Sequence, residues 1–269
     1  MTNPDSRNDP WHEALSCYQS FAEEVITTGS DWPEEFKWSD IGKFFQEGLE
    51  RSTGDWNIRM DVDYFFHENA YTKLIKYLKK YSEYPLVSFP QFQFYTSDRF
   101  HVKTRLCIGV NKKFTKNIRL NGGGDLCLAT YNDELINPNK IPNIPVPVYQ
   151  YDSVFRTKKI IKSDRARFAR AWNREFGSFG SRGNGDEESS YNAWFTDVMS
   201  KYPKHIHKIN FENHPKYIKN SLEKLDETQF GYSAFGLKNS WKSNSSNYLK
   251  GYKSLYLDTF INNLTRDKI

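Results

Sequence analysis

A strand–helix–strand pattern over residues 57–106 constrains the fold more than any other feature of the chain. Residues 58–66 alternate apolar and polar side chains with the period of two that a half-buried β-strand requires. Residues 71–80 instead repeat their apolar side chains at helical spacing and carry lysines on the outer face. Residues 86–95 and 100–108 return to strand patterns on either side of a short turn. These elements predict an α/β (α+β) core with a mixed or antiparallel sheet.

Two aspartates lie in the middle of the first predicted strand. Asp61 and Asp63 are one residue apart, so the alternation places both carboxylates on one strand face. Such carboxylates repel each other unless a cation lies between them, and Mg²⁺ takes oxygen ligands that it usually shares with substrate phosphates. The pair therefore indicates metal-dependent phosphoryl transfer. The solvent face of an edge strand explains the same spacing, and both interpretations stay open here.

A row of cationic side chains follows on the last of these strands. His101, Lys103 and Arg105 share one strand face, because each is separated from the next by one residue. The row begins just after a turn that contains the hydroxyl group of Ser97. The strand therefore presents a ladder of cationic side chains beside a hydroxyl-bearing turn.

Three short motifs succeed one another in this part of the chain. They are Met60–Tyr64, Thr96–Val102 with Ser preceding His, and Val148–Phe155 with Asp152 followed by several lysines. In their order, and in the β-α-β pattern between them, they resemble the archaeo-eukaryotic primase and primase-polymerase superfamily over residues 56–165.

The resemblance implies a metal-dependent nucleotidyltransferase of DNA replication. Asp61, Asp63 and Asp152 would be catalytic and would bind two Mg²⁺ or Mn²⁺ ions, which bring a 3′ hydroxyl in line with the α-phosphate of a nucleotide. The partners would be nucleoside triphosphates and a nucleic-acid template strand. The nucleotide-binding residues implied in this way are Ser97, Arg99, His101, Lys103, Lys158 and Lys159.

The chain divides by pattern into three parts. Residues 1–55 form a predicted N-terminal helical segment, residues 56–157 the α/β catalytic core, and residues 158–269 a helical, basic region. In the last part, Ser163 has the character of an N-cap for a helix that runs to about Phe176.

Arginines form a stripe along that predicted helix. Arg167, Arg170 and Arg174 recur at helical spacing and are expected to bind the backbone of a nucleic acid. Trp172 belongs to an adjacent apolar stripe and is predicted to lie in the core. The glycine-rich loop at residues 177–185 either wraps nucleic acid or is disordered.

Composition agrees with a polyanionic partner without identifying one. Lysine and arginine number 38 against 33 aspartates and glutamates, and the sequence pI is about 8.8. Cys17, Cys107 and Cys127 are far apart and show no metal-binding spacing, so a disulfide framework is not expected. Neither a signal peptide nor a membrane span is recognisable, which predicts a cytoplasmic protein without a membrane partner.

Two other classes of function remain compatible with the sequence. One is a metal-dependent nuclease of the restriction type, for which Glu35-Phe36-Lys37 offers the only E-x-K motif. The other is a non-enzymatic nucleic-acid-binding or assembly protein of a phage or plasmid. His205, His207 and His214 match no metal-ligand spacing and are predicted to be surface histidines.

Overall fold

The computed structural model describes residues 4–30, 32–121, 129–137, 140–201, 206–225 and 246–247, with single positions at 257, 260, 261 and 264. The α-helices are α1 (Trp11–Gln19), α2 (Trp38–Arg51), α3 (Tyr71–Lys80), α4 (Lys158–Phe176), α5 (Glu187–Lys201) and α6 (Lys216–Glu223). The strands are β1 (Trp56–Ile58), β2 (Tyr64–Phe65), β3 (Leu86–Thr96), β4 (Arg99–Asn111), β5 (Ile118–Leu120), β6 (Ala129–Tyr131), β7 (Glu134–Leu135), β8 (Val148–Gln150), β9 (Ile206–Lys208) and β10 (Ser246–Asn247).

The main sheet is mixed. Its strand order is β10-β9-β4-β3-β8-β2, and β1 pairs with the C-terminal end of β4. The pairs β3–β8 and β9–β10 are parallel, and the other pairs are antiparallel. A second, antiparallel sheet has the order β5-β6-β7. The predicted α/β class with a mixed sheet and a helical C-terminal region is therefore confirmed.

The predicted strand over residues 58–66 is wrong, because the chain forms two short strands there. Ile58 pairs with Gly109 on β4, whereas Tyr64 pairs with Gln150 on β8, which lies two strands further along the sheet. Between them the chain turns, and the Tyr64 N–H donates to the Asp61 carbonyl over 3.0 Å. The alternation of apolar and polar residues cannot distinguish one continuous strand from two short strands that pair with different strands of the same sheet. Asp61 and Asp63 consequently lie in a turn.

The hairpin of β3 and β4 is the centre of the core. Every residue of β3 is buried, because one face packs against a cluster around Phe92 and Phe94 and the other against a cluster around Val87 and Phe89. Helix α3 covers the second cluster with Leu74 and its neighbours, and its bounds are those that the apolar spacing predicts. Because both faces of β3 are packed and β8 pairs with β3, the position of the residues that follow β8 is fixed.

Helix α4 begins six residues earlier than predicted. Thr157 is its N-cap, and the Thr157 hydroxyl accepts a hydrogen bond from the Ile160 N–H over 3.3 Å. Ser163 lies inside the helix, since a cap-forming residue type also occurs within helices when an earlier residue caps first. The C-terminal bound at Phe176 agrees with the prediction, and Gly177 ends the helix at a φ of 70°.

Gly109 marks the tightest packing between β3 and β4. A Cβ atom at this position would lie 2.4 Å from Val87 Cγ2 and 3.3 Å from Phe89 Cε2. We therefore expect Gly109→Ala to lower the free energy of unfolding by about 1–3 kcal/mol, as overpacked core substitutions do. Gly54→Ala is the matched control, because the nearest atom to its Cβ would be the Trp56 carbonyl oxygen at 3.9 Å. Urea denaturation of both variants measures the difference, and equal midpoints would contradict the expectation.

No helix in the part of the chain that the structure describes combines the length and apolar composition needed to cross a membrane.

Candidate functional site

The three carboxylates chosen from the sequence converge where β2 and β8 meet. The Tyr151 N–H donates to the Asp63 carbonyl over 3.0 Å, which extends the pairing of the two strands by one residue. Asp152 is the next residue along the chain, and Asp61 is in the same turn as Asp63. Pairing of two strand ends thus brings together side chains about ninety positions apart in sequence.

Asp63 is the most unusual of the three side chains. It is only 4% exposed, and no donor among the described residues forms a hydrogen bond with its carboxyl group. Burial raises the pKa of Asp63 well above its usual range, and the neighbouring charges of Asp152 and Asp61 raise it further, against a smaller opposing effect of Arg156. This carboxyl group therefore takes up a proton more readily than an ordinary aspartate does, and a bound cation would oppose that uptake.

Arginines neutralise the other two carboxylates. Arg156 Nη1 pairs with Asp152 Oδ1, and Arg165 Nη2 lies 3.0 Å from Asp152 Oδ2. Arg59 Nη1 lies 3.0 Å from Asp61 Oδ1. The site therefore alternates acidic and basic groups, with Asp63 as the acid that no arginine of the described residues binds directly.

Arg156 is the centre of a wider buried network. Its Nε and Nη2 donate to Asp9 over 2.9 and 2.6 Å, and its Nη1 lies 3.5 Å from Asp164 Oδ2. Burial would lower the pKa of Arg156, but Asp152, Asp9 and Asp164 outweigh it and raise that pKa well above its ordinary value. Arg7 completes the network with Nε at 3.2 Å from Asp9 Oδ2.

Local sequence patterns contain little sign of this network. Asp9 and Arg156 are 147 residues apart, and no local pattern connects the N-terminal segment with α4. The one available signal was an arginine four residues after Asp152, at the start of a basic run.

The donor atoms suit a hard divalent cation. All of them are carboxylate oxygens, the ligands that Mg²⁺ and Mn²⁺ prefer, and the buried carboxyl group of Asp63 has no hydrogen-bond donor among the described residues. Within the described ranges, however, no group of three or more His, Cys, Asp and Glu side chains is arranged to hold a metal ion as it stands. A cation would have to take over Asp152 and Asp61 from Arg156, Arg165 and Arg59. The predicted metal therefore stays a prediction.

A cleft of about 1960 Å³ opens beside the carboxylates. Asp61, Asp63 and Asp152 line it together with Arg156 and Arg165. Ligand pockets for one small molecule occupy roughly 300–1,000 Å³. The cleft therefore has room for more than a single nucleotide.

The second motif does not line this cleft. Ser97 lies in the turn between β3 and β4, and Arg99 Nε is 3.5 Å from Asp98 Oδ2. His101 pairs with Gln93, and Gln93 pairs with Gln150 on β8. Three strand spacings, about 14 Å along the sheet, thus separate the backbone of His101 from that of β2. The backbone of Lys103 pairs with that of Gln91 on the same hairpin, and the side chains of Lys103 and Arg105 lie outside the described part.

The two predicted nucleotide-binding lysines are exposed at the start of α4. Lys158 Nζ lies 5.0 Å from the centroid of the Tyr191 ring on α5. Lys159 is the next residue and is also exposed. Neither lysine lines the cleft.

The three arginines predicted to bind nucleic acid lie on the face of α4 that packs against the segment before α2. Arg170 and Arg174 both pair with Glu35, and Arg174 Nη2 also donates to the Phe36 carbonyl over 2.6 Å. Arg167 is buried, with its guanidinium 5.3 Å from the Phe36 ring centroid. Helical spacing correctly predicted that the three arginines share one face of α4, but it did not predict that Glu35 and Phe36 contact that face. Glu35, from the E-x-K motif, is occupied here and does not line the cleft.

His214 is buried, so its prediction as a surface histidine is wrong. Its Nδ1 is 2.7 Å from the Tyr151 hydroxyl, and its Nε2 is 2.8 Å from the Ser97 carbonyl oxygen. It thereby joins the residue before Asp152 to the turn between β3 and β4. His207 lies on β9 with its ring 5.2 Å from that of Phe100, and His205 lies outside the described residues.

Burial gives His214 a predictable effect on stability. It lowers the pKa of His214 to about 4, against a smaller opposing effect of the hydrogen bond to Ser97. The unfolded chain therefore binds a proton between pH 6.5 and 4 that the folded chain does not, and stability falls as pH falls through this window. We expect a loss of up to about 3 kcal/mol there, and His214→Gln should abolish this part of the pH dependence. Urea titrations at several pH values measure it, and parallel curves for both proteins would contradict it.

Compared with family models and with curated protein sequences, the chain matches neither.

Proposed function

We propose that the chain is a metal-dependent nucleotidyltransferase that forms phosphodiester bonds on nucleic acid from nucleoside triphosphates. The observation that supports this most is the buried carboxyl group of Asp63, which faces Asp152 and Asp61 at the wall of a large cleft. A buried acid without a hydrogen-bond donor costs stability, so its retention suggests a function. Primase-like motifs selected the same three aspartates from the sequence.

Each part of the site has a role in this proposal. A divalent cation held by Asp61, Asp63 and Asp152 would supply Lewis acidity toward a phosphoryl group. Binding of the cation would favour the ionised form of Asp63. Arg156 and Arg165 hold Asp152 before that, and Arg165, whose side chain is 24% exposed, would then be free to bind a substrate phosphate.

The two rival functions receive less support. A restriction-type nuclease needs a lysine-bearing motif near the acids, but Glu35 is paired with Arg170 and Arg174. A non-enzymatic binding protein with surface aspartates does not explain why Asp63 is buried. The same carboxylates would nevertheless suit metal-dependent cleavage, so the experiment must distinguish cleavage from extension.

A primer-extension assay tests the proposal directly. The purified chain is incubated with a 5′-labelled primer on a template, with deoxynucleoside or ribonucleoside triphosphates and Mg²⁺ or Mn²⁺. We expect template-dependent lengthening of the primer that chelation by EDTA stops. Shortened products without extension would identify a nuclease. Unchanged primer with every nucleotide and metal combination would overturn the proposal.

A further inference from the structure

Arg182 differs from the other arginines of the helical region. Its guanidinium stacks 3.5 Å from the centroid of the Trp172 ring, and no described carboxylate lies within ion-pair distance of it. Arg165, Arg170 and Arg174 each bind a carboxylate. Partial burial lowers the pKa of Arg182, and no acid in the described part of the chain opposes this effect. Its positive charge is therefore available to an anion from outside the chain.

The glycine-rich loop holds Arg182 in a defined place. Gly183 has a φ of 77°, and a Cβ atom there would lie 2.6 Å from the backbone of Ser189 at the start of α5. The Asn184 N–H donates to the Ser189 hydroxyl over 3.0 Å, which fixes the end of the loop. The structure thus orders this loop against α5, in contrast to the disordered alternative considered from the sequence. Arg182 faces the same cleft as the three aspartates.

Trp194 on α5 lies beside Arg165. Its ring centroid is 5.0 Å from the guanidinium carbon of Arg165, which in turn binds Asp152. Ser181 and Ala193, the sequence neighbours of Arg182 and Trp194, border one small depression, so the loop and α5 meet there. Arg165, Trp194 and Arg182 all line the cleft, and we call them the α4–α5 wall.

We propose that the α4–α5 wall binds a single strand of nucleic acid, with a base stacked on Trp194 and a backbone phosphate bound by Arg182. Cations interleaved with aromatic rings are the chemistry by which proteins hold single strands, because every base has a π-face and every linkage a negative charge. The wall ends at Asp152, so a strand lying on it would reach the carboxylates. This inference rests on the proposed nucleotidyltransferase and adds the residues that carry its strand.

Binding of labelled oligonucleotides tests the wall. Fluorescence anisotropy is measured with 20-nucleotide oligo(dT) and oligo(U) at several salt concentrations, and the two probes separate DNA from RNA. We expect Trp194→Ala to weaken binding about tenfold without changing the salt slope, since it removes stacking alone. We expect Arg182→Ala to weaken binding and to flatten the slope of log affinity against log salt by about 0.7, the effect of one phosphate contact on a single strand.

Two controls keep the result specific. Trp194→Phe retains a stacking ring and should keep most of the affinity, and thermal unfolding checks that the alanine variants fold. Arg119→Ala removes a charge outside the α4–α5 wall, where Arg119 bonds the carbonyl of its neighbour Ile118, and should leave binding unchanged. If the wild type extends primers but both wall variants bind oligonucleotides as tightly as the wild type does, the α4–α5 wall is not the strand-binding surface, and the proposed function stands. If wild type neither binds strands nor extends primers, both fail.

Discussion

Replacing Arg156 by alanine should lower the free energy of unfolding by about 3–5 kcal/mol, the usual cost of removing one partner from a buried ion network. Arg156 is 3% exposed and contacts Asp9, Asp152 and Asp164. Without it, the buried carboxylates of Asp9 and Asp164 have less positive charge nearby, and water reaches them poorly. The pair itself need not stabilise the fold for its disruption to be costly.

Chemical denaturation gives the measurement, with a surface arginine as control. Arg51 pairs with Glu47 one helical turn away, and their side chains are 54% and 48% exposed. Arg51→Ala should therefore cost only about 0.3–0.5 kcal/mol, as for other exposed helical pairs. An Arg156→Ala protein with the stability of the Arg51→Ala protein would show that water reaches the network, and the assigned burial would be wrong.

The sequence predicts best what depends on local pattern. The apolar spacing of α3 gives its bounds because one helix face must meet the core, and Leu74 and Leu78 do so. The long alternating runs of β3 and β4 pair as a hairpin because a short turn joins them. The class of the fold follows from such elements.

Long-range pairing sets the limit of that prediction. Residues 58–66 alternate in the same way whether they form one strand or two. Only the pairing of Ile58 with β4 and of Tyr64 with β8 shows that the chain forms two strands here. The arginine stripe on α4 was recognised as a shared face, but the spacing carries no information about Glu35, which is 135 residues from Arg170 and covers that face. Charge patterns thus predict which side chains share a face, but the ion-pair partners of these side chains depend on the tertiary structure.

The candidate site contains both residues that a local motif predicts and residues that only long-range pairing brings together. Asp61, Asp63 and Asp152 were selected by motif, and the pairing of β2 with β8 brings them together. Arg156 and Asp9 were not selected, because an ion pair between segments distant in sequence leaves no periodic signal in either. The grouping of the three acids was therefore predictable from the motifs, whereas the arginines that neutralise Asp61 and Asp152 were not.

Asp63→Asn should reduce nucleotide incorporation by more than about a hundredfold and, at neutral pH, raise the stability of the metal-free protein. The loss of activity follows because even residues that only support a metal ligand cost 10–100-fold when changed. The gain in stability follows because asparagine resembles the protonated form of Asp63 without requiring a proton to be taken up on folding. Opposite effects on activity and stability are characteristic of a residue kept for function.

The pH dependence of this difference has a definite sign. Burial and the charges of Asp152 and Asp61 raise the pKa of Asp63 in the folded state. Above the unfolded value of about 3.9, the folded protein therefore binds a proton that the unfolded chain releases, and the wild type loses stability as pH rises toward the folded pKa. Below that unfolded value the wild type and Asp63→Asn should be equally stable in this respect, and their curves should separate as pH rises.

Asp61→Asn and added Mg²⁺ make the comparison decisive. Asp61 is 22% exposed and bound by Arg59, so Asp61→Asn should lose activity without gaining stability. Mg²⁺ stabilises only a folded state that binds it, so it should raise the melting temperature of the wild type and leave that of Asp63→Asn unchanged. Scanning calorimetry with and without Mg²⁺, beside the extension assay, measures each effect. An Asp63→Asn protein that keeps wild-type incorporation and responds equally to Mg²⁺ would remove Asp63 from the catalytic site.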